Sequence, residues 1–192
     1  MNRPVPDSRR WRALLVVGVA ELLGMSLWFT ASAVAPELRE LWGLSAAQAA
    51  ALTTAVQIGF VAGTAMAAVL NLADVFPARA YFAVSALLAA AANGLVAVDP
   101  GYTAALGLRF LTGFFLAGVY PPSMKMAATW FRDARGLAIG ILVGALTVGK
   151  ATPYLMRWLA GGDVRRVVLL ASAGAVAAAV LVAARYRDGP YR

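Results

Sequence analysis

Six long apolar runs separated by short polar breaks dominate this sequence, and they constrain the fold more than any motif does. They are Ala13–Ala35, Ala46–Leu72, Ala78–Val98, Tyr102–Phe131, Ala134–Trp158 and Val167–Ala184. A bilayer-crossing helix needs about 20 apolar residues. Hydrophobic residues make up 61% of the 192 positions and charged residues only 14%. A soluble domain is nearer half apolar and a quarter charged. Six spans leave no length for a sizeable soluble domain, so the expected fold is an all-α integral membrane bundle forming one six-helix domain over residues 1–192. Ala33-Val34-Ala35 looks like a signal-peptidase site, but Pro36 would follow the cut. The run before it is also long and contains Glu21, so it is read as a span.

Histidine and cysteine are both absent. That removes the ordinary ligands for zinc, haem and iron–sulfur clusters, and it removes thiol and imidazole catalysis. No nucleophile–base spacing stands out among the remaining Ser, Lys and Glu residues, so neither a cofactor, a metal nor an enzyme activity is expected. The net charge of +8 belongs to topology rather than to nucleic acid. With the amino terminus inside, the cytoplasmic side holds Arg3, Arg9, Arg10, Arg12, Arg79, Lys125, Arg132, Arg135, Arg185, Arg187 and Arg192. The outer side holds Arg39, Arg157, Arg165 and Arg166. This asymmetry places both termini in the cytoplasm and makes the span count even. The bacterial inner membrane is the expected location.

Three charges sit at membrane depth, where each costs several kcal/mol and marks a protein-lined or wet cavity. Glu21 lies ~13 Å from the inner face, Arg109 ~10 Å and Lys150 ~12 Å from the outer one, at 1.5 Å per residue. If their spans are neighbours, all three approach one central zone. Each has company at helical spacing on its own span. Glu21 shares a face with Met25, Trp28 and Ser32, and Thr53, Gln57 and Thr64 share one. Arg109 lies with Thr112, Tyr120 and Ser123, and Thr147, Lys150, Tyr154 and Arg157 form a fourth face. Spans three and six offer little besides Ser85, Asn93 and Ser172. Spans one, two, four and five are therefore expected to line a cavity, and three and six to face lipid.

Lysine usage is sparse: only Lys125 and Lys150 occur, against fifteen arginines. Buried lysine changes protonation far more readily than arginine, so Lys150 is a candidate proton-handling residue together with Glu21. Two readings of Glu21 stand at this point. It is a proton site, or it neutralises Arg109 or Lys150 as a structural pair. Gly136, Gly140 and Gly144 recur every fourth residue on the fifth span, which suits close helix packing or bending.

Three stretches carry a family likeness. Asn71-Leu72-Ala73-Asp74-Val75-Phe76-Pro77-Ala78-Arg79 resembles the loop signature Gly-x-Leu-Ala-Asp-Arg-x-Gly-Arg-Lys of the major facilitator superfamily. Asn71, Val75 and Pro77 depart from it. Arg109 to Gly113 resembles that family's Arg-x-x-Gln-Gly motif, with Thr112 in place of glutamine. Tyr120-Pro121-Pro122-Ser123-Met124-Lys125, ending in Trp130-Phe131, is similar to the organic-anion and organophosphate branches. The resemblance implies the amino-terminal six-span half of a transporter working by alternating access. It implies that spans one, two, four and five line the cavity. It also implies a latch in which Asp74, flanked by Arg79, pairs with Arg132 or Arg135.

Family members have two such halves in the same orientation, so two copies of one half could rebuild the whole as a parallel homodimer. The expected function is secondary transport of a small anionic solute. Arg109 and Lys150 would hold its charge, Gln57, Trp28 and Tyr154 would orient it, and Glu21 and Lys150 would couple protons. The expected partners are that solute, the lipid bilayer and a second copy. The alternatives are a proton-coupled exporter of apolar or cationic compounds, a non-transporting scaffold, and a truncated half.

Overall fold

The structure is a computed structural model that describes residues 7–191; Arg3 and Arg192, two of the basic residues used for topology, lie outside the described residues. Among the described residues it is all helical. Helix α1 is Asp7–Ala33, α2 Ala35–Trp42, α3 Ala46–Val69, α4 Leu72–Val75 and α5 Ala78–Gly94, which a 3₁₀ turn over Leu95–Val98 extends. Helix α6 is Tyr102–Leu116, α7 Tyr120–Ala128, α8 Arg135–Gly149, α9 Thr152–Leu159 and α10 Val164–Arg185. Six stretches are long and apolar enough to cross a membrane: Ser8–Ala33, Ala46–Val69, Ala78–Val98, Tyr102–Ala128, Arg135–Leu159 and Val164–Arg185. These are spans one to six. The described chain starts and ends at one face of the bundle, here the proximal end; the opposite face is the distal end.

The boundaries follow local chemistry. Ser45 caps α3 through a reciprocal capping box with Gln48, at 3.2 and 2.9 Å. Asp163 caps α10 by accepting from the Arg166 N–H at 3.0 Å, so span six begins before Val167. Asp99 and Gly101 turn the chain after span three with φ of 55° and 76°. Span one stops at Ala33, earlier than the apolar run suggested. Pro36 cannot donate back into the helix, and the chain restarts as α2.

Two spans are interrupted at prolines. Span four opens between Leu116 and Tyr120, where Pro121 and Pro122 cannot reach the carbonyls of Ala117 and Gly118. Span five opens at Lys150-Ala151, where Pro153 leaves the Gly149 carbonyl without its helical donor.

Span one packs against span six and the proximal half of span five, span three against spans four and six, and span two chiefly against span four. Glycine permits that last contact. A Cβ at Gly59 would strike the Phe110 carbonyl, one at Gly63 the Phe114 carbonyl, and one at Gly113 the Val56 carbonyl. Small residues at such a crossing let backbones touch. The regularly spaced glycines of span five, suited to close packing or bending, meet no other helix of this chain. A Cβ at Gly136, Gly140 or Gly144 would meet nothing within 4 Å.

Spans two and five are the least covered, with 22% of each apolar window buried, against 44% for spans three, four and six and 56% for span one. Spans three and six do present exposed apolar residues, among them Val84, Leu87, Leu169 and Val180. Their few polar groups turn inward instead.

Candidate functional site

The interior of the bundle holds two charged side chains that behave in opposite ways. Arg109, 1% exposed, is engaged through both terminal nitrogens, while its buried Nε has no hydrogen-bond partner. Its Nη1 donates to the Leu27 carbonyl at 3.0 Å and to Asn93 Oδ1 at 2.7 Å, and its Nη2 donates to the Trp28 carbonyl at 2.8 Å. Asn93 in turn donates to Ser172 Oγ at 3.0 Å and to the Val168 carbonyl at 3.3 Å. One polar knot thus ties spans one, three, four and six. The adjoining cavity measures about 10 Å³ and cannot admit a solute. Arg109 thus borders no cavity of solute size in this arrangement, and it does not form the pair with Glu21 that stood as one of the two readings of that acid. The cause is geometric: α6 points Arg109 at the backbone of α1, where carbonyls rather than a carboxylate meet it.

Glu21 is fully buried, and neither carboxylate oxygen has a hydrogen-bond partner. Tyr120, at the break in span four, lies within electrostatic reach of it. The hydroxyls expected alongside Arg109 are spent on their own helices. Thr112 donates to Leu108 and Ser123 to Val119, each at 2.8 Å. The buried Thr64 hydroxyl has no partner.

The remaining candidates sit on the sparsely covered face. Lys150 is exposed at the break in span five, with Nζ 5.8 Å from the centre of the Phe29 ring, a cation–π distance. Trp28 stands edge-on to Phe60 at 5.2 Å and beside Phe29. Gln57 is exposed, and Tyr154 is half exposed. Ser32 and Thr53 share a hydrogen bond of 2.8 Å that fastens span two to span one. Trp28, Gln57, Lys150 and Tyr154 thus stand on spans one, two and five, and Arg109 meets this set only at the Trp28 backbone carbonyl.

The latch also differs from expectation. Asp74 pairs with Lys125 at 2.7 Å, not with Arg132 or Arg135. Lys125 also donates to the Ala73 carbonyl at 2.5 Å. Its position in the last turn of α7 brings it over the α4 turn. Arg135 donates instead to the Phe131 carbonyl at 3.3 Å, and Arg79 and Arg132 are exposed. Asp74 and Lys125 are 79% and 45% exposed, so the pair is worth under about 1 kcal/mol.

Beside it, a cavity of about 550 Å³ is walled by the α4 turn, Thr129, Arg135 and the tail residues Asp188 and Tyr191. Sequence reasoning missed the tail entirely. Tyr186, 1% exposed, donates to the Met126 carbonyl at 3.0 Å, and the Trp130 indole donates to the Arg187 carbonyl at 2.9 Å. Gly189 N–H reaches Thr129 Oγ1 at 2.9 Å, and Tyr191 N–H reaches the Thr129 carbonyl at 3.0 Å. Residues 186–191 form a strap across the proximal end of span four.

Six helices long and apolar enough to cross a membrane, packed around a buried acid and a buried arginine, define an all-helical membrane bundle. Residues 17–192 match the family model of the Major Facilitator Superfamily. The chain belongs to that family. It is 33% identical over 168 residues to the puromycin resistance protein of Streptomyces alboniger, covering 80% of this chain and 32% of that protein. The chain thus spans about a third of the length of the curated relative it matches.

Proposed function

We propose that this chain supplies a six-span half of a proton-coupled exporter of apolar or cationic compounds, with Glu21 as the proton site. The observation that carries the reading is the fully buried Glu21 carboxylate with no hydrogen-bond partner at either oxygen. A structural carboxylate in hydrocarbon would be paired, whereas an acid that must gain and lose a proton has reason to stand alone. Arg109 is committed to backbone carbonyls and leaves the cavity surface, which takes away half the cationic charge that an anion site would use. The aromatic rings of Trp28, Phe29, Phe60 and Tyr154 remain there, and they suit flat apolar or cationic solutes. The likeness to a puromycin resistance protein points the same way.

The second reading, transport of a small anionic solute of the organic-anion kind, is favoured by one observation. Lys150 is exposed on that same face, where Gln57 and Tyr154 would orient the solute. In either case both termini would be cytoplasmic in a bacterial inner membrane. A second copy in parallel would cover spans two and five, and Asp74–Lys125 would act as the proximal latch.

The test is proteoliposome flux. Purified protein should accumulate puromycin against an imposed proton gradient, and Glu21→Gln should abolish that accumulation. Gradient-driven uptake of a monocarboxylate, with none of puromycin, would favour the second reading. In mild detergent, corrected for bound detergent, the mass should be twice the 20.0 kDa of one chain.

A further inference from the structure

Spans one, two, three, four and six are tied to one another by buried polar or glycine contacts. The Arg109–Asn93–Ser172 knot joins spans one, three, four and six, and the glycine contacts of Gly59, Gly63 and Gly113 lock span two to span four. Span five carries no such knot: α8 packs on spans one and four, and its distal half, α9, lies against spans one and six with Met156 on the apolar core. At its start the helix is interrupted at Lys150-Ala151 by Pro153. At its end the chain turns through Gly161 and Gly162, whose φ angles of 64° and 80° suit glycine and few other residues. The eight-residue rod between these two joints carries Leu155, Trp158 and Leu159 at 56%, 77% and 67% exposure.

One polar attachment holds the rod. Arg157 Nη2 and Nε reach Glu37 Oε1 at 2.6 and 2.7 Å, while Glu37 Oε2 stays buried and unpartnered. Glu37 is a fixed post. Its helix α2 is pinned by Leu38, 1% exposed, and by the bond from the Trp42 indole to Asp99 Oδ1 at 2.5 Å.

From this arrangement we propose that α9 is a hinged flap at the distal edge of the Lys150–Tyr154 face, closed by the Glu37–Arg157 ion pair and opened when that pair parts. What the movement serves, distal access to the transport face, rests on the transporter reading; the hinge and its latch do not. The rod is ~12 Å long, so a bend of ~20° at Lys150-Ala151 carries its tip ~4 Å. Helix α8, which packs on span one through Gly149 against the Leu22 carbonyl, stays in place.

The test uses spin-label distances in the full chain, which contains no cysteine and so accepts labels without background. One pair is Leu95→Cys with Trp158→Cys, and the control pair is Leu95→Cys with Leu137→Cys; all three positions are exposed. With the native latch both distributions should be narrow. Glu37→Gln should shift or broaden the Trp158 distance by ~4 Å and leave the Leu137 distance unchanged. The swap Glu37→Arg with Arg157→Glu should restore the narrow distribution. Pro153→Leu, which lets the helix run through, should keep it narrow even beside Glu37→Gln. Melting curves identify any variant that fails to fold, and the swap then supplies the comparison.

A Trp158 distance indifferent to Glu37→Gln, or one that moves equally with Leu137, overturns the flap. Failure of the swap to restore it overturns the latch. Puromycin flux is measured on the same variants. A latch-dependent distance without any flux leaves the flap standing and removes the transporter reading, whereas flux with a rigid α9 does the reverse.

Discussion

Arg109 and Asn93 meet at 2.7 Å inside the bundle, guanidinium to amide oxygen, with no carboxylate in their network. A buried cation is therefore held by dipoles: one side-chain amide and two carbonyls of span one. The arrangement turns what the sequence offered as a ligand-binding arginine into the tie between four spans. Asn93→Leu removes one of the three acceptors and strands Ser172, and should cost about 1–2 kcal/mol, read as a lower melting temperature in detergent. Arg109→Met added to Asn93→Leu removes the stranded charge. The double variant should melt above the Asn93→Leu single variant, because the two changes are coupled through one contact. Additive losses would mean that the two side chains act independently.

Glycines separate the packed face from the open one. At Gly113 an added Cβ would meet the Val56 backbone, which cannot yield as a flexible side chain can. Gly113→Ala should therefore part spans two and four and lower the melting temperature sharply, by an amount typical of overpacking, about 1–3 kcal/mol. Gly140→Ala meets nothing within the bundle and should leave the melting temperature of one chain unchanged or slightly raised, since alanine is the better helix former. If a second copy packs on span five, the bulkier Gly140→Leu should lower the mass measured in detergent without unfolding the chain. An unchanged mass would place the contact between copies elsewhere.

Much of the fold was readable because hydropathy acts over twenty residues at a time. All six spans were visible in that pattern. The misreadings share one cause: residue spacing along a helix gives a face but not the neighbour it meets. Gly136, Gly140 and Gly144 have ideal packing spacing and face nothing, whereas Gly59 and Gly63, equally well spaced, carry the closest crossing. Arg109, Lys150 and Glu21 were at matching depth, but depth says nothing of azimuth, so one ended inside the knot and one on the open face. Asn93 and Ser172 looked like residual polarity on lipid-facing spans. Only the bundle reveals that they point at Arg109.

The tail strap makes a prediction independent of transport. Tyr186, Arg187, Gly189 and Tyr191 all bond to residues 126–130 at the proximal end of span four. At Gly189 an added Cβ would strike the Thr129 carbonyl, so Gly189→Ala should lift the strap without touching any span. Trypsin should then cleave after Arg187 many times faster than in the native chain, as expected for a segment moved to the weakly protected end of the stability range. Tyr186→Phe removes one donor but keeps the ring buried and should have a smaller effect. Equal cleavage rates in all three proteins would show that the strap is not held in solution.

The last prediction concerns Glu21, where stability and function should move in opposite directions. A fully buried carboxylate without a hydrogen-bond partner is unfavourable in either protonation state: ionised it lacks a counter-charge, and neutral it lacks acceptors for its proton. Its surroundings include the packed residues Val17, Ala20 and Met25 of the same helix, so an apolar side chain of similar volume should fit. Glu21→Leu should accordingly raise stability, by about 1–3 kcal/mol, seen as a higher melting temperature at neutral pH. The same variant should lose accumulation of puromycin driven by a proton gradient and keep gradient-independent exchange, because the solute face on spans one, two and five is untouched. Glu21→Asp keeps the ionisable group and should keep part of the gradient response. A lower melting temperature for Glu21→Leu would show that the carboxylate has a stabilising partner. Undiminished gradient-driven uptake would show that protons travel by another residue, and Lys150, exposed at the break in span five, would then be the next to neutralise.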